Sequence, residues 1–182
     1  MIYAFFADGF EEIEAVTPVD VLRRAGLQVT MVSVTDSKVV RGAHDISVVT
    51  DILFEETDYE DAILLILPGG MPGVTHLDCH EGLIQLIDRH VKCHLPIAAI
   101  CAAPMVLGSR GLLDGYKATC YPGCETSLGN ADYTAASVEE DGIFITGKGA
   151  GTAMEFAFAI LKRLRGEQVA DELQSRMMVS KG

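Results

Sequence analysis

The stretch PIAAICAAP, residues 96–104, decides how the rest of the sequence is interpreted. Its first half, Ile97 to Ile100, is an unbroken apolar run, as expected for a strand covered on both faces of a parallel sheet. The residues after Cys101 have helix-forming composition, and Pro104 is tolerated only in the first turn of a helix. We therefore predict that Cys101 lies at the corner where a buried strand ends and a helix begins.

A cysteine at such a corner has two interpretations. The free N–H groups and positive dipole end of a helix stabilise an anion, lower the pKa of a thiol and favour a reactive thiolate. The arrangement is the cysteine counterpart of the strand–turn–helix that presents the nucleophilic serine of α/β-hydrolases. Alternatively, a cysteine beside an apolar strand is a small buried hydrophobic residue. The local sequence supports both interpretations of Cys101 equally.

Length and charge limit the class of protein. The chain of 182 residues suits one α/β domain, and no linker-like stretch divides it, so we expect a single domain over residues 1–182. The formal net charge of −12 argues against nucleic acids and anionic membranes as partners, because both repel a polyanion. Residues 1–12 lack the features of a signal peptide, and the odd number of scattered cysteines, 5, does not form a disulfide framework. We therefore expect a cytoplasmic protein with reduced thiols.

Apolar strand-like runs alternate with helical stretches along the chain. This alternation predicts a doubly wound, mostly parallel α/β sheet with helices on both faces. Two short β-like runs, 38–41 and 46–49, flank a turn and predict a hairpin that protrudes from this sheet. The main strands are predicted at 2–7, 27–34, 61–67, 97–100 and 142–146. The helices are predicted at 11–25, 81–91 and 152–164, with a loop region at 108–132.

The special residues of the chain fall at the ends of predicted strands. Ligands of doubly wound sheets bind outside the carboxyl ends of the strands, so we predict the functional site at this edge. Gly149 to Thr152 lack the lysine–serine ending of a phosphate loop, and we interpret this segment, with Gly151, as a turn that lines the pocket. The strand-end residues are Asp8, Gly9, Gly69, Gly70, Cys101 and Gly147.

Five motifs occur in one order and spacing over essentially the whole chain. They are ADGFEEIEAVTPVDVLRRAG (7–26), LPGGMPG (67–73), AAICAAP (98–104), ATCYPGCE (118–125) and TGKGAGTAMEFA (146–157). With these motifs the chain resembles the DJ-one/ThiJ/PfpI superfamily. The resemblance implies a flavodoxin-like fold, a homodimer, a reactive cysteine at Cys101 and an acidic partner at Glu14.

The resemblance singles out Glu14 among three carboxylates near the start of the first helix. We expect Glu11 and Glu12 to face solvent, as acidic residues near helix N-termini commonly do. A carboxyl packed against a thiolate in a partly dry site should have a raised pKa, stay protonated and donate a hydrogen bond to sulfur. Gly70 either serves only a tight turn that needs a positive φ or donates its backbone N–H to an oxyanion together with Ala102, and the resemblance favours the second interpretation.

Histidines distinguish this chain from its relatives. Peptidases of the superfamily are expected to carry a histidine where this chain has Ala102, and other relatives carry one near Tyr121. A phenol, with a reference pKa of about 10, is a poor general base at neutral pH, so no Cys–His dyad is predicted. The pocket is expected to include Gly69, Tyr121, Pro122 and Gly151. Cys120 and Cys124 either resolve an oxidised Cys101 as a disulfide or are unrelated thiols.

Neither a metal site nor an organic cofactor is predicted. Two groups of histidine and cysteine have ligand-like spacing, but both lie off the predicted edge, and the first is predicted to be a loop. For the homodimer, the candidates are the first helix, with Arg23 and Arg24, and the hairpin, where His44 and Asp45 stand and relatives usually have an arginine. The two ligand-like groups are His76, Cys79 and His80, and His90, Cys93 and His94.

Three functional hypotheses follow from the residues and the resemblance. The first is a cofactor-independent enzyme of the glyoxalase or deglycase type, with Cys101 as nucleophile, Glu14 as proton donor and acceptor, and small reactive aldehydes or glycated compounds as substrates. The second is an oxidative-stress sensor or chaperone in which Cys101 is oxidised to a sulfinate held by Glu14. The third is a cysteine peptidase.

Overall fold

A computed structural model describes residues 1–179. Its elements alternate between strands and helices for most of the chain. In chain order they are β1 (Ile2–Phe6), α1 (Glu12–Arg24), β2 (Val29–Ser33), β3 (Val39–Arg41), β4 (Ser47–Val49), β5 (Ile52–Leu53), β6 (Leu64–Leu67), α2 (Gly73–Cys79), α3 (Glu81–Lys92), β7 (Ile97–Ile100), α4 (Pro104–Gly108), β8 (Lys117–Ala118), β9 (Asp132–Tyr133), β10 (Val138–Asp141), β11 (Phe144–Gly147), α5 (Ala153–Arg165) and α6 (Glu167–Arg176).

Seven strands form the central sheet in the order β10-β11-β7-β6-β1-β2-β5. All neighbouring strands are parallel except β10, which pairs antiparallel with β11. The five longer parallel strands follow the order 2-1-3-4-5 of flavodoxin-like sheets, so the direction of winding reverses at β1. This topology confirms the predicted fold class. It places the expected ligand crevice outside the carboxyl ends of β1 and β6.

The sheet separates two apolar cores. Along β1, Tyr3 and Phe5 pack with α2, α3 and α4, whereas Ile2, Ala4 and Phe6 pack with α1, α5 and α6. Every residue of β1, β6, β7 and β11 is buried, which is why β1, β6 and β7 are apolar runs without alternating polar residues and β11 has one polar side chain, Thr146. The carboxyl-terminal residues of these interior strands are therefore held firmly at one edge of the sheet.

The predicted hairpin forms from β3 and β4, which pair with each other and not with the central sheet. A bridge between Phe10 and Gly42 joins the hairpin to the segment that precedes α1. The hairpin thus lies beside the carboxyl end of β1. Within residues 1–179, no helix has the length and apolar content needed to cross a membrane.

The structure differs from the sequence prediction at several elements. The segment interpreted as a loop around His76 is the helix α2, and the loop region 108–132 contains the short strand β8. The edge strands β5 and β10 were not predicted, because β5 has two residues and β10 has the mainly acidic sequence VEED. The polar helix α6 was also missed. The helix that follows Cys101 begins at Pro104, as its proline indicates, but has only five residues.

Candidate active site

Cys101 occupies a strained turn directly after β7. Its φ of +65° lies in the left-handed region, which residues with a side chain seldom adopt. Its N–H donates to the carbonyl of Gly147 at 2.9 Å, and its carbonyl accepts the N–H of Tyr121 at 2.8 Å. These two hydrogen bonds hold the turn from both sides. The cysteine is half-buried, so the turn presents it as a nucleophile elbow does.

Glu14 is the acidic group that lies against the Cys101 sulfur. It belongs to the first turn of α1 and is only 1% exposed. Its carboxyl hydrogen-bonds with the Cys101 side chain, and its Oε2 accepts the N–H of Gly69 at 3.0 Å. A Cβ at Gly69 would overlap both the Glu14 carboxylate and the Cys101 side chain. Glycine at this position therefore lets the acid and the thiol meet.

Two backbone N–H groups also point at the sulfur. They belong to Ala102 and to Gly70, and both favour the charged form of Cys101. Gly70 has a φ of +92°, and a Cβ there would come within 2.6 Å of the carbonyl oxygen of Gly9. Only glycine fits this conformation and this close approach. The arrangement has the form of an oxyanion hole around the cysteine.

The protonation states of Glu14 and Cys101 depend on each other. Burial above all raises the pKa of Glu14 to about 7, and the charge of Glu11 adds to this effect. Burial and the negative charge of ionised Glu14 raise the pKa of the Cys101 thiol, whereas the N–H groups of Ala102 and Gly70 lower it. Two negative charges are therefore disfavoured, and a thiolate at Cys101 requires a protonated Glu14.

The expectation that the helix after Cys101 lowers the pKa of the thiol is wrong, because burial and Glu14 raise this pKa. The helix α4 begins three residues after Cys101 and has five residues, so it contributes a small dipole. Burial and Glu14 outweigh the two N–H groups, so the pKa of the Cys101 thiol lies above its ordinary value.

The expectation that Glu11 and Glu12 face solvent is wrong. Glu11 caps α1, because its Oε2 accepts the N–H of Glu14 at 2.8 Å. Glu12 is 8% exposed, and its Oε1 accepts the N–H of His44 at 2.7 Å. The partner of Glu12 is 32 residues away in the chain, so the sequence pattern of the helix could not reveal it.

The residues that the sequence predicts to line the pocket do not all lie beside the site. The Tyr121 ring lies beside Gly149, where a Cβ would be 3.4 Å from the ring and 3.9 Å from Glu14 Oε1. A Cβ at Gly151 would meet no atom within 4 Å, and Pro122 is exposed. Gly149, rather than Gly151, is thus the member of this turn next to the site. The glycine-rich sequence gave no signal that separates the two.

Cys120 and Cys124 are free thiols, as are the other three cysteines. Cys120 is fully buried, and burial, together with Cys124 and Glu125, raises its pKa to about 12. Burial and Glu125 also raise the pKa of Cys124. Both thiols are protonated at neutral pH, which slows thiol–disulfide exchange. Their role in resolving an oxidised Cys101 stays a prediction.

Most of the histidines whose spacing resembles that of metal ligands are hydrogen-bonded to the backbone or buried. His76 Nδ1 lies 2.9 Å from the carbonyl oxygen of Asp8, and His80 Nδ1 accepts the N–H of Leu83 at 3.0 Å. His90 is buried, with no hydrogen-bond partner for either ring nitrogen within residues 1–179. The described part of the chain brings three potential metal ligands together elsewhere, at Glu11, Glu12 and His44. Sequence spacing could not find this cluster, because His44 lies in the hairpin.

A parallel α/β sheet with a cysteine on a strained turn and a buried carboxyl against its sulfur defines a protein of the cysteine nucleophile-elbow class. The chain belongs to the DJ-1/PfpI family, whose family model matches residues 1–163. This membership confirms the resemblance inferred from the five sequence motifs.

Three curated relatives are similar to the chain over most of its length. Protein DJ-1 homolog B of Arabidopsis thaliana is 34% identical over 95% of this chain, which spans only 40% of the plant protein. A glutathione-independent glyoxalase of Caenorhabditis elegans is 32% identical, with 94% of this chain and 91% of the relative covered. A deglycase of Pyrococcus abyssi is 30% identical, with 87% and 96% covered.

Solved structures of the family have the same fold. The oxidised DJ-1 of Toxoplasma gondii matches with a TM-score of 0.95 at 31% identity, covering 99% of this chain and 98% of the other. DJ-1beta of Drosophila melanogaster matches with a TM-score of 0.94 at 32% identity, covering 99% and 98%. The whole described sheet and its helices are therefore shared with these proteins.

Proposed function

We propose that the protein is a cofactor-independent cysteine enzyme that converts small reactive carbonyl compounds, in the manner of a glyoxalase or deglycase. One observation carries the proposal: the buried Glu14 carboxyl and the N–H groups of Gly70 and Ala102 converge on the Cys101 sulfur. This arrangement supplies a nucleophile, a proton carrier and an oxyanion site without any further group. Two relatives at 30% and 32% identity carry the names deglycase and glyoxalase, which supports this class of substrate.

In the first step, the Cys101 sulfur attacks the aldehyde carbon of a 2-oxoaldehyde such as methylglyoxal. The new C–S bond forms as the C=O π bond opens, and the thiol proton passes through Glu14 to the oxygen, which gives a hemithioacetal. The N–H groups of Gly70 and Ala102 stabilise the developing oxyanion. A protonated Glu14 also favours the thiolate that attacks, so one carboxyl serves both events.

In the second step, Glu14 moves a proton between adjacent carbons. It moves the C–H proton of the hemithioacetal carbon to the neighbouring carbonyl oxygen, which gives an enediol, and then moves the hydroxyl proton of the first carbon to the neighbouring carbon. This oxidises the first carbon to a thioester and reduces the second to an alcohol. Water then hydrolyses the thioester, releasing the 2-hydroxy acid and restoring the thiol. The sum is methylglyoxal plus water to lactate plus a proton, which needs no external oxidant or reductant.

A second candidate function is redox sensing, for which the same half-buried thiol is the relevant observation. Peroxide would oxidise the Cys101 thiolate to a sulfinate, and protonated Glu14 would donate a hydrogen bond to it. A peptidase is less well supported, because no histidine hydrogen-bonds with Cys101 within residues 1–179.

Conversion of methylglyoxal to lactate, followed by NMR, tests the proposal. We expect Cys101→Ala to abolish turnover and Glu14→Gln to lower it by about 100-fold or more, because an amide cannot carry the proton. Cys93→Ala, which removes an exposed thiol elsewhere, should retain turnover.

Glu14→Gln separates the two candidate functions. Its amide can still donate a hydrogen bond to an oxidised sulfur, so sensing would survive while turnover is lost. Lactate production that persists in Cys101→Ala would refute the enzymatic proposal. The absence of lactate from the wild-type protein, together with sulfinate at Cys101 detected by mass spectrometry, would favour the sensor.

A further inference from the structure

Three potential metal ligands meet where the hairpin contacts α1. One ligand atom from each of Glu11, Glu12 and His44 lies within 4.8 Å of the others. His44 Nδ1 is 2.8 Å from Glu12 Oε2 and 3.9 Å from Glu11 Oε1. The cluster combines an imidazole with two carboxylates drawn from two separate elements. It is therefore different in composition from an ordinary acidic surface patch.

Backbone hydrogen bonds orient both carboxylates toward the cluster. The Oε2 atom of Glu11 accepts the N–H of Glu14, which leaves its Oε1 directed at His44. The Oε1 atom of Glu12 accepts the N–H groups of His44 and Ile46, which leaves its Oε2 directed at the imidazole. Such outer hydrogen bonds are what fixes ligating carboxylates in metal sites. The two side chains are 13% and 10% exposed, so they have little freedom to turn away.

The hairpin is shaped around the Glu12 carboxylate. A Cβ at Gly42 would overlap its Oε1, Cδ and Cγ atoms, so a glycine is needed for the carboxylate to enter the loop. His44, in contrast, has a side chain that is 69% exposed. In the single chain, the cluster is thus rigid on the protein side and exposed on the other. An ion could enter from that side and keep a water molecule.

We propose that Glu11, Glu12 and His44 bind a divalent transition-metal ion of the zinc type, with water as the fourth ligand. A tetrahedral zinc ion with bonds of about 2.1 Å separates its ligand atoms by about 3.4 Å. This value lies between the distances of 2.8 Å and 3.9 Å from His44 Nδ1 to the two carboxylates, and all three ligand atoms lie within 4.8 Å of one another, so shifts of about 0.5–1.5 Å complete the site.

The ligand set also decides the class of ion. The imidazole nitrogen favours zinc and its neighbours in the transition series, whereas magnesium and calcium prefer sites made of oxygen atoms. The ion would replace the hydrogen bond between His44 Nδ1 and Glu12 and would offset the negative charges of the two carboxylates. It would also tie the hairpin to α1 by direct bonds.

Calorimetric titration of the chelator-treated protein with zinc chloride tests this site. We expect one zinc ion per chain, and no comparable binding of calcium or magnesium chloride. Glu11→Gln and His44→Arg should each weaken zinc binding by at least about tenfold. The arginine variant is informative because its guanidinium can still pair with Glu12 but cannot ligate a metal.

Three variants serve as controls. Asp45→Asn removes one negative charge from the same hairpin without removing a ligand, and asparagine tolerates the φ of +65° at this position. His76→Gln removes an exposed histidine elsewhere, and Cys101→Ala removes the thiol that could itself bind zinc. All three should retain the site. Circular dichroism without metal checks that each variant is folded.

The proposal fails if zinc does not bind, or if Glu11→Gln or His44→Arg binds zinc as the wild type does. It also fails if Cys101→Ala abolishes binding, since the thiol would then be the ligand. A loss of affinity in Asp45→Asn equal to that in His44→Arg would show general electrostatic attraction and would likewise overturn it.

Discussion

At the scale of single residues, Gly69 shows how the absence of a side chain creates the site. The Glu14 carboxylate and the Cys101 side chain both occupy the space that a Cβ at residue 69 would need. Replacement by alanine must therefore push apart the acid and the thiol or move the end of β6. The contact between Glu14 and Cys101 therefore depends on the missing side chain at residue 69 as well as on the two groups themselves.

We predict that Gly69→Ala lowers methylglyoxal turnover by about 100-fold, because the proton carrier is displaced from the sulfur. Overpacking of the buried site should also lower the free energy of unfolding by about 1–3 kcal/mol. Gly151→Ala is the matched control, since a Cβ there meets no atom within 4 Å. Steady-state kinetics and urea unfolding of both variants check this, and equal behaviour of the two would contradict it.

A second residue-scale prediction concerns His90, which is 2% exposed and has no partner for its ring nitrogens within residues 1–179. Burial, with a contribution from Arg89, lowers its pKa to about 4. An unfolded histidine has a pKa of about 6.5, so between these values the unfolded chain binds more protons. Above pH 6.5, His90 does not lower the free energy of unfolding. As the pH falls from 6.5 toward 4, the free energy of unfolding decreases by about 3 kcal/mol because of this group.

We therefore expect His90→Leu to be more stable than the wild type at pH 5 and to lose this advantage above pH 7. Urea unfolding at both pH values measures the difference. Comparing the two proteins removes the opposite effect of Glu14, whose raised pKa favours the folded state as the pH falls below 7. His76→Leu, at an exposed histidine, should follow the wild type. An unchanged difference between pH 5 and pH 8 would rule out His90 as the cause.

At the scale of elements, the hairpin depends on one carboxylate of α1. The strands β3 and β4 do not pair with the central sheet, and a two-stranded hairpin is marginally stable by itself. Glu12 accepts the N–H groups of His44 and Ile46, in addition to the bridge between Phe10 and Gly42. The helix that carries Glu14 thus also holds the hairpin beside the site.

Glu12→Ala should lower the free energy of unfolding by about 1–3 kcal/mol, because two N–H groups lose their acceptor. Amide hydrogen exchange, measured with chelator present, should become faster in β3 and β4 while the central sheet stays protected. Asp20→Ala is the control on the same helix, since its pair with Arg24 is exposed and should contribute less than about 1 kcal/mol. Uniformly faster exchange in the hairpin and the sheet would contradict a local role.

At the scale of the whole molecule, exposed apolar side chains gather on α1 and the hairpin. Ile13 is 54% exposed, Ile46 is 59% exposed and Val49 is 66% exposed. The family resemblance implies a homodimer through these two elements. A surface of this kind is expected to be covered by a partner, and a second copy of the chain is the partner that the resemblance indicates.

We predict that Ile13→Glu and Ile46→Glu shift the protein from dimer to monomer, because a charge would have to be buried in the interface. Size-exclusion chromatography with light scattering measures the molar mass. Ile63→Glu, at an isoleucine that is 46% exposed near the amino end of the sheet, should leave the dimer intact. A wild-type protein that is monomeric, or variants that stay dimeric, would refute this interface.

Much of the fold was accessible from the sequence because buried parallel strands leave a strong pattern. The runs at β1, β6, β7 and β11 are apolar at nearly every position, since both faces of each strand are covered. Parallel strands end at one edge, so Cys101, Gly70 and the residues after β1 had to lie near each other. The motif resemblance then singled out Glu14, which the structure places against Cys101.

What only the tertiary structure decided depends on contacts between distant segments. The sequence alone specified which residues stand at the strand ends and that one is a cysteine followed by a helix-starting proline. The burial of Glu12 under His44, the choice of Gly149 over Gly151 and the unpartnered burial of His90 required the packed chain. The physical reason is that hydrophobic runs are local in sequence, whereas the surroundings of a polar group are set by whatever residues fold against it.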